Sequence, residues 1–392
     1  MLLRINSLKD CAFSEVCDSS RLPIDTAPHL PQLLASQAVD RYITFNTTHF
    51  RKRTPIVSFT DHRLTELFDQ FKGKRIAVVG DLMVDRYYWG SVTRVSPEAP
   101  VPVVDVNNES VRLGGAANVA NNIQSLGGTT LLVGLIGDDH PGKMFQEILR
   151  DQGMDTSGVV VDSSRPTTIK TRVIAHSQHV VRIDYESKAE CPEHIRHQII
   201  DAVKYNIHSL DGIILEDYNK GVITKEIIHE LIAVAQKYNK IITVDPKFNN
   251  FFEYKNVTVL KPNLREVEEV LGGRLRTSED VDKAGRRLLD MLSVQNILLT
   301  RGEQGMSLYE SSGEVTHFGS QATNVQDVSG AGDTVISTLT VALSGGANIR
   351  EAAALANCAA GVVVGEVGIA SIDLQRLIEA ALRFSNNRTD KA

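Results

Sequence analysis

Regular alternation of apolar and polar positions begins near Asp61. "HRLTELFDQFKG" carries apolar residues at helical spacing and stops at Gly73, which predicts an amphipathic helix. "KRIAVVGD" (Lys74–Asp81) is a short apolar run closed by Gly-Asp, the pattern of a buried strand that ends in a polar loop. "NVANNIQSLGG" then reads as a helix with a glycine stop, "TTLLVGLIGDD" as a strand and "GKMFQEILRDQG" as a helix. "TTIKTRVIAHSQHVVRIDYE" is different: two β runs flank a polar turn at Ser177–Gln178, which predicts a hairpin. Downstream, "DGIILED", "KIITVDP", "VTVLKPN" and "NILLTRG" are strands that stop at polar, Gly or Pro residues, with helical stretches between most of them. This rhythm predicts an α/β fold with a mostly parallel sheet. Ligands of such sheets bind beyond the carboxyl ends of the strands, which places Asp81, Asp85, Asp217, Asp245, Asn263 and Gly302 near one rim.

Residues 1–60 show no comparable periodicity and are expected to form a partly disordered peripheral extension to a domain covering 61–392. "TTHFRKRTP" (Thr47–Pro55) is a small basic cluster, but acidic residues elsewhere in the stretch weigh against a transit peptide. At 42% apolar and 23% charged, the 392-residue chain has ample material for a core. A formal net charge of −6 without a long basic run argues against nucleic acid as a partner. Cys11, Cys17, Cys191 and Cys358 form no C-x-x-C pair and no zinc spacing, as expected of bystander thiols in a reducing compartment. "AAALANCAAGVVVG" (Ala352–Gly365) falls short of the roughly 18 apolar residues of a spanning helix, and the N-terminus lacks the succession of a signal peptide. A cytoplasmic protein without membrane insertion is the expectation.

The densest candidate chemistry is "DVSGAGDTVISTLTVALSGG", from Asp327 to Gly346. Gly330, Ala331 and Gly332 allow close backbone approach to an anion, and a helix starting there directs free N–H groups and its positive end at the same point. Asp333 is placed to take a proton from a hydroxyl facing that anion; the alternative is that it only caps the helix. In "KPNLREVEEV", Asn263 and Glu266 stand three apart at a strand-to-helix junction, suited either to hydrated Mg²⁺ or to a capping pair. "LLTRGEQG" offers Thr300, Gly302 and Gly305 for a loop close to nucleotide phosphates, or an ordinary turn. "LGGAANVANNIQSLGG" sets Gly114 and Gly115 before a helix with Asn118 on its first turn; Asn118 and Asp85 suit sugar hydroxyls. "GDDHPGK" (Gly137–Lys143) imitates a P-loop, but Met144 stands where a Mg²⁺-binding hydroxyl is required, so a strand-to-helix turn is preferred.

With both "GGAANVA" and "DVSGAGD" present, the sequence resembles the ribokinase-like (PfkB) carbohydrate kinases from about Lys74 to Ile378. The resemblance implies a three-layer α/β/α domain with a small β lid, here from about 87–113 and 167–186, and a homodimer formed through the lid. It implies ATP and Mg²⁺, with Asp333 as catalytic base and Gly330–Gly332 as the anion hole. Asn263 and Glu266 then serve the nucleotide and, through water, Mg²⁺; Asp327 and Ser329 match part of a K⁺ site, and Asn357 an adenine-side position. Within the family, "GDLMVDRYYWGSVTRVSPEAPVPVVDV", "VVRIDYE" and "VDPK" resemble the heptose 7-phosphate kinase branch. That implies phosphorylation of D-glycero-D-manno-heptose 7-phosphate at the anomeric hydroxyl, on the route to ADP-heptose and lipopolysaccharide. The absence of H-x-G-H suggests the kinase part without a fused nucleotidyltransferase. Another sugar kinase acting on fructose, ribose or a hexose phosphate, or a silent sugar-binding regulator, are the alternatives. For a phosphorylated sugar the cationic candidates are Arg86, Arg94, Arg112, Lys170, Arg172, Arg182, Lys220 and Lys247, with Lys220 and Lys247 ranked first because they follow strand ends on the rim.

Overall fold

A computed structural model describes residues 57, 59–176, 178–366, 368 and 370–389. Most of the expected extension, and Ser177 of the expected hairpin turn, lie outside them. In chain order the elements are α1 (Asp61–Phe71), β1 (Arg75–Gly80), β2 (Leu82–Val95), β3 (Pro102–Gly115), α2 (Ala116–Ser125), β4 (Thr129–Ile136), α3 (His140–Asp151), β5 (Val159–Val161), β6 (Thr168–Ala175), β7 (Gln178–Tyr185), α4 (Glu193–Asn206), β8 (Gly212–Glu216), α5 (Lys225–Lys237), β9 (Ile241–Asp245), β10 (Val259–Leu260), α6 (Leu264–Leu271), α7 (Ser278–Leu292), β11 (Asn296–Thr300), β12 (Met306–Glu310), β13 (Val315–Phe318), α8 (Ala331–Ser344), α9 (Ile349–Val363) and α10 (Leu374–Thr389).

Nine strands form the main sheet in the order β13-β12-β11-β10-β9-β8-β1-β4-β5. All neighbouring pairs from β11 to β5 run parallel; β12 and β13 are added antiparallel at one edge. Alternation along β1 explains why both faces are covered. Ile76 and Val78 enter one core with α1, α2, α3, α8, α9 and α10, whereas Ala77 and Val79 enter the other with α4, α5, α6 and α7. Successive side chains of a strand point to opposite faces, so a continuous apolar run needs a helical layer on each side. The fold is therefore a three-layer α/β/α sandwich.

The packed domain begins slightly before Asp61. Val57 and Phe59 are buried, the Phe59 ring lies 6.4 Å from that of Phe384 on α10, and the Phe59 carbonyl accepts a 2.6 Å hydrogen bond from Ser385. No helix among the described residues is long and apolar enough to cross a membrane.

A second sheet, β3-β2-β6-β7, grows out of the first. Only Asp81 separates β1 from β2, and β3 runs directly into α2. The outer strand β7 is exposed along its whole length, with Val181, Ile183 and Tyr185 open to solvent. On the main sheet the chain runs outward from β1 through β4 to β5, then crosses back to place β8 on the other side of β1, so the direction of winding reverses there. A crevice opens at such a switch point, beyond the carboxyl ends of the strands.

Candidate active site

The crevice contains a cavity of about 890 Å³. It brings together Gly330, Ala331, Gly332, Asp333, Asn263, Thr300, Gly302, Gly305, Asn357 and Lys247, from segments spread across the second half of the chain. Gly330 takes the left-handed conformation (φ 78°) that turns the loop into α8, a geometry with little cost only for glycine. The first N–H groups of α8 lack intrahelical acceptors, and the helix dipole adds positive potential at the cavity wall.

Asp333 lies in the first turn of α8 but does not cap it; the cap residue is Gly330, with no side-chain hydrogen bond. Instead the Asp333 carboxylate accepts one hydrogen bond from Asn118 Nδ2 at 2.7 Å and another from Tyr218 Oη at 2.7 Å. Its pKa stands raised to about 6, the balance of burial and Asp245 pushing it up and the two hydrogen bonds pulling it down. The group is thus charged at neutral pH but close enough to titration to accept a proton, as general-base work demands.

Beneath it lies a buried charge cluster. Glu216 ends β8 and Asp245 ends β9, and carboxylate oxygens of Glu216, Asp245 and Asp333 lie within 4.8 Å of one another. Lys261, just after β10, is buried and holds Asp245 at 2.8 Å. Both carboxylate oxygens of Glu216 are buried without a hydrogen-bond partner among the described residues, and burial, Asp245 and Asp333 push its pKa well above the usual range. The backbone at Gly332 passes close to this cluster: a Cβ there would stand 3.3 Å from Lys261 Nζ.

Asn263 and Glu266 form a reciprocal capping box on α6, each side chain accepting from the other's backbone N–H at 2.9 Å. Glu266 also holds Lys247. Lys220 is likewise committed, to Glu186 Oε1 at 2.6 Å. Asp327 organises its own loop, accepting from the N–H groups of Ser329 (2.9 Å) and Gly368 (3.0 Å). Asn357 donates to the carbonyl of Gly319 at 2.8 Å. On the second sheet Asp85 is buried and paired with Arg172. A Cβ on Gly114 would fall 2.1 Å from Asp85 Oδ2, so glycine there is what gives that carboxylate its place. Gly115 (φ 58°) then makes the turn that starts α2 and delivers Asn118 to Asp333. The P-loop look-alike is a helix start: Asp139 caps α3, accepting from the Gly142 N–H at 2.8 Å and from Thr167 Oγ1 at 2.6 Å.

Tyr218, Lys261 and Glu216 carry site geometry that the sequence reading did not single out. Their signal is position: each stands at or just past the carboxyl end of a strand on the same rim as Asp245. Tyr218 is fixed by Asp81, whose Oδ2 accepts the N–H groups of Tyr218 (2.8 Å) and Lys220 (3.1 Å) and whose Oδ1 accepts that of Val222 (3.1 Å). Tyr218→Phe removes one of the two donors that stabilise charged Asp333. A hydrogen bond to a charged group contributes about 1.5–3 kcal/mol, and 1.36 kcal/mol is one pKa unit. The acid limb of kcat/KM, rising with pH through about 6 in the wild type, is therefore expected to move up by roughly one pH unit. A pH–rate profile with an unmoved acid limb would contradict the role given to this hydroxyl.

A family model described as "pfkB family carbohydrate kinase" matches residues 74–375. The bifunctional protein HldE of Helicobacter pylori strain J99 is 43% identical over 304 residues, covering 78% of this chain and 65% of that protein. HldE of Geobacter sulfurreducens is 42% identical over 313 residues, covering 80% and 64%. The chain thus spans about 65% of the length of these relatives. Among solved structures, phosphofructokinase-2 from Escherichia coli in complex with potassium superposes with a TM-score of 0.67 at 18% identity, over 80% of this chain and 99% of that one. Arabidopsis thaliana ribokinase complexed with ribose and ATP gives 0.63 at 20% identity, over 79% and 99%. At such identities these two structures speak for the fold alone, whereas the family match runs through both glycine-rich loops and every strand that feeds the cavity. The chain belongs to the pfkB family of carbohydrate kinases, and the enzyme it forms is a carbohydrate kinase.

Proposed function

We propose that this enzyme transfers the γ-phosphoryl group of ATP to the anomeric hydroxyl of D-glycero-D-manno-heptose 7-phosphate, giving the 1,7-bisphosphate in a route toward ADP-heptose. The observation that carries the reading is Asp333, held by Asn118 and Tyr218 at the mouth of α8 with its carboxylate on the cavity. The choice of heptose rests on the sequence stretches that resemble the heptose 7-phosphate kinases, together with the similarity to HldE.

In this mechanism the sugar hydroxyl lies against Asp333, which takes its proton as the oxygen attacks in line. Gly330–Gly332 and the start of α8 receive the transferring phosphoryl group, so positive potential meets the charge as it spreads. Lys261 and Lys247 add fixed cationic charge along the same wall. Thr300, Gly302, Gly305 and Asn357 accommodate the nucleotide. The hard oxygen donors present suit Mg²⁺, and the unpartnered Glu216 carboxylate beside Asp245 is an orphaned donor of the right kind. Asp245 and Glu216 would hold the ion, with Glu266 reaching it through water. When bound, such an ion supplies charge neutralisation of the phosphates. Asp327 and Ser329 are the proposed side of a monovalent-cation site. Asp85 and Asn118 serve the sugar, with Gly114 and Gly115 giving the backbone room, and the second sheet acts as the lid. Its exposed apolar strand β7 is the surface proposed for a homodimer. Use of ATP fits a cytoplasmic location.

The test is the product formed from synthetic heptose 7-phosphate and ATP. A bisphosphate carrying the new phosphorus on C1, read by mass and phosphorus–carbon NMR coupling, is expected. Phosphorylation elsewhere on the sugar, or a higher kcat/KM for fructose or ribose, would reject the heptose assignment.

A further inference from the structure

We propose that Lys170, on β6, is the residue that recognises the phosphate already present on the sugar, in an anion site shared with Lys220 beside the ring of Tyr218. The inference rests on the reading of the enzyme as a sugar-phosphate kinase and names the side chain that would make it one.

Four cations near the crevice are held by carboxylates. Lys261 holds Asp245, Lys247 holds Glu266, Lys220 holds Glu186 and Arg172 holds Asp85. Lys170 makes no ion pair among the described residues. Its Nζ stands 5.1 Å from the centroid of the Tyr218 ring, with Asp85, Lys220, Asp184 and Glu186 as its charged surroundings. Burial, together with Lys220, opposes its charge, while Asp85, Asp184 and Glu186 favour it; each of these carboxylates is itself paired, with Arg172, Arg182 and Lys220 respectively. A desolvated ammonium is costly without a counter-ion, and an aromatic face returns only part of that cost. A dianionic phosphate beside Lys170 would complete the site, and it has the charge to engage Lys220 as well when that lysine leaves Glu186.

Position points to the same ligand. Lys170 is the register partner of Asp85 on β2, which places it on the second sheet beside the proposed sugar site. The ring that lies under its ammonium also carries the hydroxyl that donates to Asp333 at 2.7 Å. Tyr218 is therefore the spacer between base and anion site. A sugar with one hydroxyl on Asp333 would extend past this ring, and a phosphate at its far end would meet Lys170.

The experiment compares sugars in pairs with and without a terminal phosphate: heptose 7-phosphate with heptose, and fructose 6-phosphate with fructose. For the phosphorylated member that the wild type prefers, Lys170→Gln is expected to raise KM roughly 30-fold, the scale of losing charged hydrogen bonds to one phosphate, with kcat within about threefold. KM for ATP and turnover of the unphosphorylated member should be unchanged, and Lys170→Arg should recover most of the loss. An unchanged preference for the phosphorylated sugar in Lys170→Gln would overturn the proposal, as would an equal loss on both members of a pair. A wild type that prefers fructose 6-phosphate would remove the heptose assignment while leaving Lys170 testable on that sugar. A wild type that prefers the unphosphorylated sugars would overturn both.

Discussion

Asp333→Asn is expected to lower kcat by about 10²–10⁴-fold, the usual contribution of a positioned general base. The KM for ATP should stay close to that of the wild type, because the asparagine leaves Gly330, the start of α8 and the nucleotide wall in place. Stability should hold or rise. The carboxylate is buried and its pKa is pushed up to about 6, so the folded state bears a cost for its charge that the neutral amide does not. One donor, Asn118 or Tyr218, loses its acceptor, which offsets part of that gain. Steady-state kinetics and thermal melting of the same preparation separate the two effects. Turnover within tenfold of wild type would remove Asp333 from the chemistry, and a large fall in melting temperature would mark it as a structural residue.

Lys261→Met is the change expected to cost most in stability. Lys261 is fully enclosed, its ammonium is 2.8 Å from Asp245, and Glu216 carries a second buried carboxyl group beside them. Removing one member of a buried pair leaves the other charge uncompensated, which typically costs about 3–5 kcal/mol. For a domain of this size that corresponds to a fall in melting temperature on the order of 10 °C. The companion change Asp245→Asn in the Lys261→Met background should return a good part of the loss, since the orphaned charge is then absent. A double variant no more stable than Lys261→Met would show that packing of the lysine stem, and not charge compensation, is what counts.

The two glycine-rich loops were legible because they are local. A left-handed Gly330 before an apolar helix, and Gly114-Gly115 before another, leave their mark within a few residues of sequence. The same loops hid what they do. From sequence, Asp333 reads equally as a cap or a base; the distinction lies in partners 215 and 115 residues away, Asn118 and Tyr218. Asn263 and Glu266 carried two readings, and the structure shows the capping box, with Glu266 also holding Lys247. Lys220 and Lys247 ranked first among the cations by position, yet both are paired, while Lys170 on the second sheet makes no ion pair among the described residues. The added edge strands β12 and β13 are not read from the sequence either, being only five and four residues long.

By itself the sequence determined the α/β rhythm, the carboxyl-end rim and the two glycine loops, since each follows from side-chain periodicity or backbone freedom over a short span. Only the tertiary structure decided which rim residues meet: that Tyr218 and Asn118 grip Asp333, that Lys261 answers Asp245, and that the Glu216 carboxylate finds no hydrogen bond among the described residues. Those pairings depend on the order in which β8, β9 and β10 line up beside β1. That order is set by the packing of two helical layers on one sheet, and no stretch of sequence shorter than the domain contains it.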